Sequence, residues 1–400
     1  MQTKPKLLRL TTADISLNGL LKGQLHFLNQ YYDVVGVAKD TGDLQACAER
    51  EGIRVINAPI ERPISLLKDL KALFFLYRLF KKERPDILHA NTPKGSLLAM
   101  IAGKLAGVPR RIYLVTGLRY QGASGIFRFI LKSMEQVTCL FATQVIPEGQ
   151  GVMHCLQADH ITRKPLRVLH YGNINGKDTQ YLSCKQWTRE QLQLSADADI
   201  TDEQIASERA HVRQKLGFTD DQFVFVFIGR ITRDKGMVEL AYSMQKLDNR
   251  YSHVRLLLVG RMEDVGNAIP EDVRRYFKES AEVEYVGEQH DIRPYLLAAD
   301  ALVFPSYREG FPNVPMEAGC MELASIVTDI NGCNEIVKDG LNGKIIQPRN
   351  ESSLFATMSW FVEHPAEVKR MGHNARGIIH ERYEQKDVWN ALLEFYRTEP

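Results

Sequence analysis

Short runs of β-branched and other apolar residues alternate with segments of helical period along nearly the whole chain, and the pattern occurs twice. In the first half the strand-like runs are Leu7–Leu10, Val34–Val37, Arg54–Ile56, Ile87–His89, Ile112–Val115, Gln144–Ile146 and Leu166–His170. In the second half they are Phe223–Ile228, Val254–Val259, Val283–Val286, Ala301–Phe304, Ile326–Thr328 and Lys344–Ile346. Helix-period segments such as Ser65–Lys82, Met237–Leu247 and Pro315–Met321 lie between them. Strands joined through helices mark parallel βαβ units, because a parallel neighbour needs a crossover too long for a hairpin. The chain is therefore expected to be α/β, with two Rossmann-like, doubly wound parallel-sheet domains facing across a cleft. Four hundred residues, 44% of them apolar, suffice for two such cores. The polar stretch from Asn173 to Phe218, opened by the turn signal Asn173-Ile174-Asn175-Gly176, reads as the boundary between domains 1–180 and 181–380. A last helix, about Lys386–Tyr396 within residues 381–400, could cross back onto the first domain.

Other classes are excluded by what is missing. No apolar run reaches the roughly 18 residues of a membrane span, and the basic start, Met1 to Arg9, is followed by a stretch broken at Asp14, Asn18 and Lys22, which is not a signal peptide. The six cysteines are scattered without a Cys-x-x-Cys pair, and no histidines cluster at metal-ligand spacing, so reduced thiols in the cytoplasm and no structural metal are expected. The net charge of +2 conceals a split: residues 1–180 hold 25 Lys and Arg against 14 Asp and Glu, so the remainder is acidic. A basic half suits an anionic partner such as a lipid surface or a phosphorylated acceptor. Nucleic acid is not expected, since no recognition helix or stacking-aromatic motif is present. Ser65–Lys82, basic, aromatic and helical in period with apolar positions 66, 70, 73, 77 and 80, either packs against the sheet, the favoured reading, or lies in a membrane interface. Ile126–Lys132 is a second interfacial candidate, and Lys22, Lys94, Arg110 and Arg111 would strengthen an anionic-lipid or acceptor surface. Peripheral attachment to the inner face of the cytoplasmic membrane through the first domain is the expectation.

Ligands of doubly wound sheets bind at the carboxyl ends of the strands, so chemistry is sought in the loops that follow them. After Phe223–Ile228 comes Gly229-Arg230-Ile231-Thr232-Arg233-Asp234-Lys235-Gly236, which lacks the P-loop order but places Arg230 and Lys235 between a strand end and a helix start. A guanidinium fork, a point charge and helix N–H groups together suit a diphosphate. After Ala301–Phe304 comes Pro305-Ser306-Tyr307-Arg308-Glu309-Gly310-Phe311-Pro312-Asn313-Val314-Pro315-Met316-Glu317-Ala318. Pro315 can occupy the first position of the next helix, which would put Glu317 in its first turn. Glu309 and Glu317 would then face one pocket, with N–H groups near Phe311–Val314 aimed at a phosphate. The Asp-x-Asp of Asp197 and Asp199 sits in the polar stretch, not at a strand end, and is not expected to bind metal.

These segments resemble the GT-B-fold retaining glycosyltransferase family 4. The likeness is carried by Glu-x7-Glu around Glu-Gly-Phe-Pro-Asn (Glu309–Asn313), by Gly229-Arg230-x4-Lys235-Gly236, and by Asp300 before Ala301-Leu302-Val303-Phe304-Pro305-Ser306, and it runs through Phe223–Ile378. More loosely, Leu21-Lys22-Gly23-Gln24-Leu25, Asp86-Ile87-Leu88-His89 with Thr92-Pro93-Lys94, and Val168 to Asp178 look like members that build bacterial capsule, O-antigen or exopolysaccharide units on undecaprenyl-diphosphate-linked sugars. The resemblance implies transfer from a nucleotide sugar, a UDP-sugar being favoured, without metal or other cofactor. It implies that Arg230 and Lys235 bind the donor diphosphate and that Glu317 holds the ribose hydroxyls. Glu309 would contact the donor sugar near the reacting centre. Gly229, Gly310, Phe311, Asn313 and Val314 would complete that site, with Arg261 bordering the base and Gly23 letting backbone approach the donor phosphate.

Two departures stand out. Many members carry a histidine where this chain has Thr116, so His89 becomes a substitute candidate, and Arg119, with Lys22 and Lys94, a candidate contact for acceptor phosphate. The usual Gly and Pro after the second Glu are replaced by Glu322-Leu323-Ala324-Ser325. Two other readings stay open: another GT-B enzyme such as a nucleotide-sugar epimerase, and a catalytically weak paralogue serving as a scaffold.

Overall fold

The computed structural model describes residues 4–398, which fall into two compact units. The first runs to Gly176 and takes back the segment from Gln385 onward; the second is Lys177–Glu384. The division thus lies at Gly176/Lys177 and Glu384/Gln385 rather than at 180/181 and 380/381. A cut at 380 would fall inside the helix Pro365–Tyr383.

In the first unit β1 (Lys6–Ala13), β2 (Asp33–Lys39), β3 (Arg54–Asn57), β4 (Ile87–Ala90), β5 (Arg110–Val115) and β6 (Gln144–Pro147) form one parallel sheet in the order β3-β2-β1-β4-β5-β6. Leu7 of β1 pairs with Val34 on one side and Ile87 on the other. Successive residues alternate between two cores, as the pleat requires. Leu8, Leu10, Val35, Leu88 and Tyr113 pack beneath the helices Leu66–Glu83, Pro93–Ala106 and Gly125–Phe141. Leu7, Val34, Ile112 and Ile146 face Leu17, Leu25 and, from the helix Gln385–Thr398, Leu392 and Phe395. Burial of both faces is why these strands read as continuous apolar runs. Arg110 fastens the last helix by donating to the carbonyl oxygens of Tyr396 (2.6 Å) and Phe395 (2.7 Å), a cation at a helix carboxyl end.

The second unit repeats the plan with β7 (Phe223–Ile228), β8 (Val254–Val259), β9 (Val283–Gly287), β10 (Ala301–Phe304), β11 (Ala324–Thr328) and β12 (Gly343–Ile346), ordered β12-β11-β10-β7-β8-β9. In each sheet the order reverses once, between β1 and β4 and between β7 and β10. Loops leaving the two strands at a reversal turn to opposite faces and open a crevice at their carboxyl ends.

Three expectations change. Leu166–His170 is not a strand: Pro165 brings no N–H to a ladder, His170 turns at φ 50°, and only Leu166 bridges to Val145. The polar stretch is not a bare linker, because Ser183 caps the helix Cys184–Gln191 and Thr201 forms a capping box with Gln204 on Asp202–Lys215. The segment Ser65–Lys82 divides: Ala72, Leu76 and Phe80 pack on the sheet, while Leu66 and Leu70 stay in solvent.

Asp14, at the carboxyl end of β1, ties that end to the loop after β2. Its carboxylate accepts from the amides of Ile15 (2.7 Å), Thr41 (2.6 Å) and Asp43 (2.9 Å), and from the Thr41 hydroxyl. Burial raises its pKa, but these donors outweigh it and bring the group down to about 2. A folded-state pKa below the unfolded one stabilises above the unfolded value and is lost as pH falls toward the folded value. Asp14 thus contributes about 2 kcal/mol that fades between about pH 4 and pH 2. Asp14→Asn aims an amide NH2 at these donors. It should cost about 1–3 kcal/mol at neutral pH and flatten the acid limb of stability, measured by urea denaturation across pH.

Candidate functional site

The loop after β7 is shaped by glycines at positive φ. Gly236 (φ 73°) precedes the helix Met237–Asp248, and a Cβ there would lie 2.1 Å from the Pro305 carbonyl oxygen. Gly260 (φ 144°), after β8, lies against Gly229 in the same way, with 1.9 Å to its carbonyl oxygen. Only glycine permits both the conformation and the approach. The loops after β7, β8 and β10 are therefore pressed backbone to backbone. They are laced by Ile231 N–H to the Arg261 carbonyl (2.9 Å) and Tyr307 N–H to the Asp234 carbonyl (2.9 Å).

This apposition brings Lys235 onto Glu309. The ammonium donates to Oε1 of Glu309, which also accepts from the Ser306 hydroxyl at 2.7 Å. Lys235 lies 5.4 Å from the centre of the Phe304 ring, and the side chains of both Lys235 and Glu309 are only 16% exposed. Arg230 is more open and reaches Glu263 at 2.9 Å. Burial disfavours charge on Asp234, but the Thr232 hydroxyl (2.7 Å) and the cations Arg308, Arg230 and Lys235 outweigh it and hold its carboxyl below the usual range. Arg261 contributes its carbonyl to the loop and leaves its side chain exposed.

The next helix is Asn313–Cys320, preceded by Pro312 in an extended conformation, so Pro315 is third rather than first and Glu317 stands one turn in. Prolines fit there because first-turn amides have no intrahelical partner. No side chain caps this end. Phe311 is buried edge-on against Tyr383, 5.5 Å between ring centres, and anchors the loop. Gly332 (φ 74°) lies so close to Gly310 and Phe311 that a Cβ would be 2.6 Å from the Gly310 carbonyl. Asn313 and Val314, half-buried, begin the helix. Glu317 pairs with Lys177 at 2.6 Å. Sequence reasoning missed Lys177: the contact spans 140 positions, and Lys177 is placed by a backbone bond to the Tyr383 carbonyl (2.7 Å) that no local pattern announces.

The candidates in the first unit meet a different fate. The Gly23 amide donates to Glu51 (2.9 Å), and a Cβ on Gly23 would meet the Trp389 ring at 2.8 Å, so this backbone is occupied rather than open to a phosphate. His89 is fully buried, hydrogen-bonded to Arg9 and to the Tyr396 hydroxyl (2.5 Å). Burial, then the nearby Arg9 and Arg110, hold its pKa well below the usual value. It is a neutral core histidine, not a strand-end catalyst. Lys94 is also buried, paired with Asp69 at 2.5 Å and bonded to the Pro63 carbonyl at 2.5 Å, which corrects its reading as an acceptor contact. Lys22 and Arg119 are exposed, Arg119 on the short turn Arg119–Gly122. Thr116 donates to the Asn91 carbonyl (2.9 Å).

Among the described residues no group of three or more His, Cys, Asp or Glu could hold a metal ion. Residues 208–378 match the family model for glycosyl transferases group 1, and residues 17–148 the model for glycosyl transferase 4-like proteins. The chain belongs to the family 4 glycosyltransferases. One relative of this glycosyltransferase is the capsular polysaccharide biosynthesis glycosyltransferase CapM of Staphylococcus aureus, 29% identical over 98% of this chain and 97% of that one. Another is the UDP-Gal:alpha-D-GlcNAc-diphosphoundecaprenol alpha-1,3-galactosyltransferase of Escherichia coli, 26% identical over 80% of this chain and 77% of that one. Anabaena HepE, solved in complex with UDP and glucose, superimposes with a TM-score of 0.77 at 18% identity, covering 98% of this chain and all of that one. The fold is GT-B.

Gly236→Ala should cost about 1–3 kcal/mol from the positive φ alone and more from the clash with Pro305. Urea denaturation should show that loss, and nucleotide titration of the folded fraction should show weakened binding, because the Lys235–Glu309 contact depends on this approach.

Proposed function

We propose that this glycosyltransferase moves a hexose or N-acetylhexosamine from a nucleoside diphosphate sugar, with uridine the favoured base. The acceptor is a lipid-diphosphate-linked sugar at the inner face of the cytoplasmic membrane, in surface polysaccharide synthesis, and the anomeric configuration is retained. The observation that carries the reading is the convergence of Lys235, Arg230, Glu309 and Glu317 on the carboxyl ends of β7 and β10, where the strand order reverses. The names of the CapM and E. coli relatives support the lipid-linked acceptor and the polysaccharide product, and the UDP bound to HepE supports the base.

The chemistry follows from where charge develops. The anomeric C–O bond to the diphosphate breaks, its electron pair leaves on the phosphate oxygen, and the sugar gains oxocarbenium character. Lys235 and Arg230 stabilise the departing diphosphate. The amides at the start of Asn313–Cys320, at the positive end of that helix, do the same, and such preorganised charge is commonly the largest catalytic contribution. A metal is not needed for that role. The acceptor hydroxyl forms the new C–O bond on the face the phosphate leaves, and its proton passes to the leaving phosphate. In this reading Glu309, which bonds Lys235 and Ser306, contacts the donor sugar, and Glu317, which pairs with Lys177, takes the ribose hydroxyls.

UDP, GDP and ADP should be titrated calorimetrically without divalent cation. UDP is expected to bind the wild type, and Lys235→Ala to weaken it by at least about tenfold; binding of none of the three would overturn the reading. The anomeric proton coupling of the product, read by NMR, should match that of the donor; an inverted coupling would overturn retention.

A further inference from the structure

The helices Leu66–Glu83, Pro93–Ala106 and Gly125–Phe141 share one core beneath the first sheet, and the outer two both pack on the middle one. Each follows a parallel strand and runs back against it, so their amino-terminal ends meet at the edge where the strands end. At that edge the two outer helices leave their large apolar side chains in solvent. Leu66 is 77% exposed, Leu67 82%, Ile126 80% and Phe129 71%, with Leu70, Phe74, Phe127 and Ile130 also exposed. Scattered surface leucines are ordinary, but eight large apolar groups gathered in the first halves of two helices that flank a third are not.

The charges between them have one sign. Arg62, Lys68, Lys71, Arg119 and Arg128 are exposed around these turns. The acids of the same segments are already matched, Asp69 by Lys94 (2.5 Å) and Glu61 by Lys39 (2.5 Å). Arg128 shares Asp159 (3.9 Å) with Lys132, which leaves the cations in excess. An apolar patch ringed by such an excess is complementary to a surface that offers hydrocarbon beneath anionic headgroups. No helix among the described residues is long and apolar enough to cross a bilayer, so the contact is interfacial. We propose that the opening turns of Leu66–Glu83 and Gly125–Phe141 form one two-pronged docking surface that seats the carboxyl edge of the first sheet on an anionic bilayer. This deepens the membrane-acceptor reading and rests on it for purpose, though not for its physics.

Cosedimentation of the full chain with phosphatidylcholine vesicles, with and without phosphatidylglycerol, tests it. The wild type should bind the anionic vesicles in a salt-sensitive way. Leu67→Asp with Phe129→Asp should lower that binding by at least about tenfold while leaving UDP binding and the melting temperature unchanged, since both side chains point into water. Lys68→Ser with Lys71→Ser should lose roughly fivefold per charge on anionic vesicles and nothing on neutral ones. Absence of wild-type binding, or wild-type binding by the aspartate variant, would overturn the proposal. So would a wild-type dimer in light scattering that the aspartates dissociate, because the face would then belong to a second copy. Sugar transfer to a detergent-dispersed acceptor is read separately, so its failure would count against the enzymatic reading alone.

Discussion

The approach of the Gly236 backbone to the Pro305 carbonyl is the constraint on which the second unit's chemistry depends. It exists because β7 and β10 are neighbours although three strands apart in sequence, and because the residue that opens the helix after β7 has no side chain. A larger residue would hold the two loops apart, and Lys235 would no longer reach Glu309. The same device recurs between Gly260 and Gly229 and between Gly332 and Gly310. Close backbone packing thus replaces side-chain bulk wherever a loop must stay rigid with few contacts of its own.

Charge is handled differently in the two units. In the second, half-buried carboxylates stand beside cations: Glu309 with Lys235, Glu317 with Lys177, Asp234 among three. Such pairs are costly to desolvate but hold their side chains in defined positions, which is what a ligand-binding site requires. In the first, the buried charged groups are spent on architecture. Arg9 and Arg110 hold the last helix through Tyr396 and its carbonyl neighbour, and Lys94 closes the loop before Leu66–Glu83.

Much of this was legible from the residues. β7, β8 and β10 lie where the apolar runs put them, because strands buried on both faces have no alternating polar residues to blur their ends. The Gly229–Gly236 and Pro305–Glu317 segments announced themselves through residue types that loops rarely combine. What stayed hidden depends on distance in sequence. Lys177 meets Glu317 only because the chain re-enters beside Tyr383. Gly23 is closed off by Glu51 and Trp389, and His89 is buried beneath Tyr396. The helices after Ser183 and Thr201 were obscured by their polarity, and their caps, visible in hindsight, were the better signal.

The return of Gln385–Thr398 to the first unit has a bearing on how the chain is made. The second unit is one continuous stretch, so all of its strands and helices are at hand once Glu384 has left the ribosome. The first unit is interrupted: Leu7, Val34 and Ile112 wait for Leu392 and Phe395, and Arg110 for the carbonyls it caps, until more than two hundred further residues have been added. Domains usually mature in the order in which they are synthesised. Here the unit begun first is completed last, and through most of translation one face of its sheet lacks its final cover, which makes that face the natural client of whatever shields nascent chains.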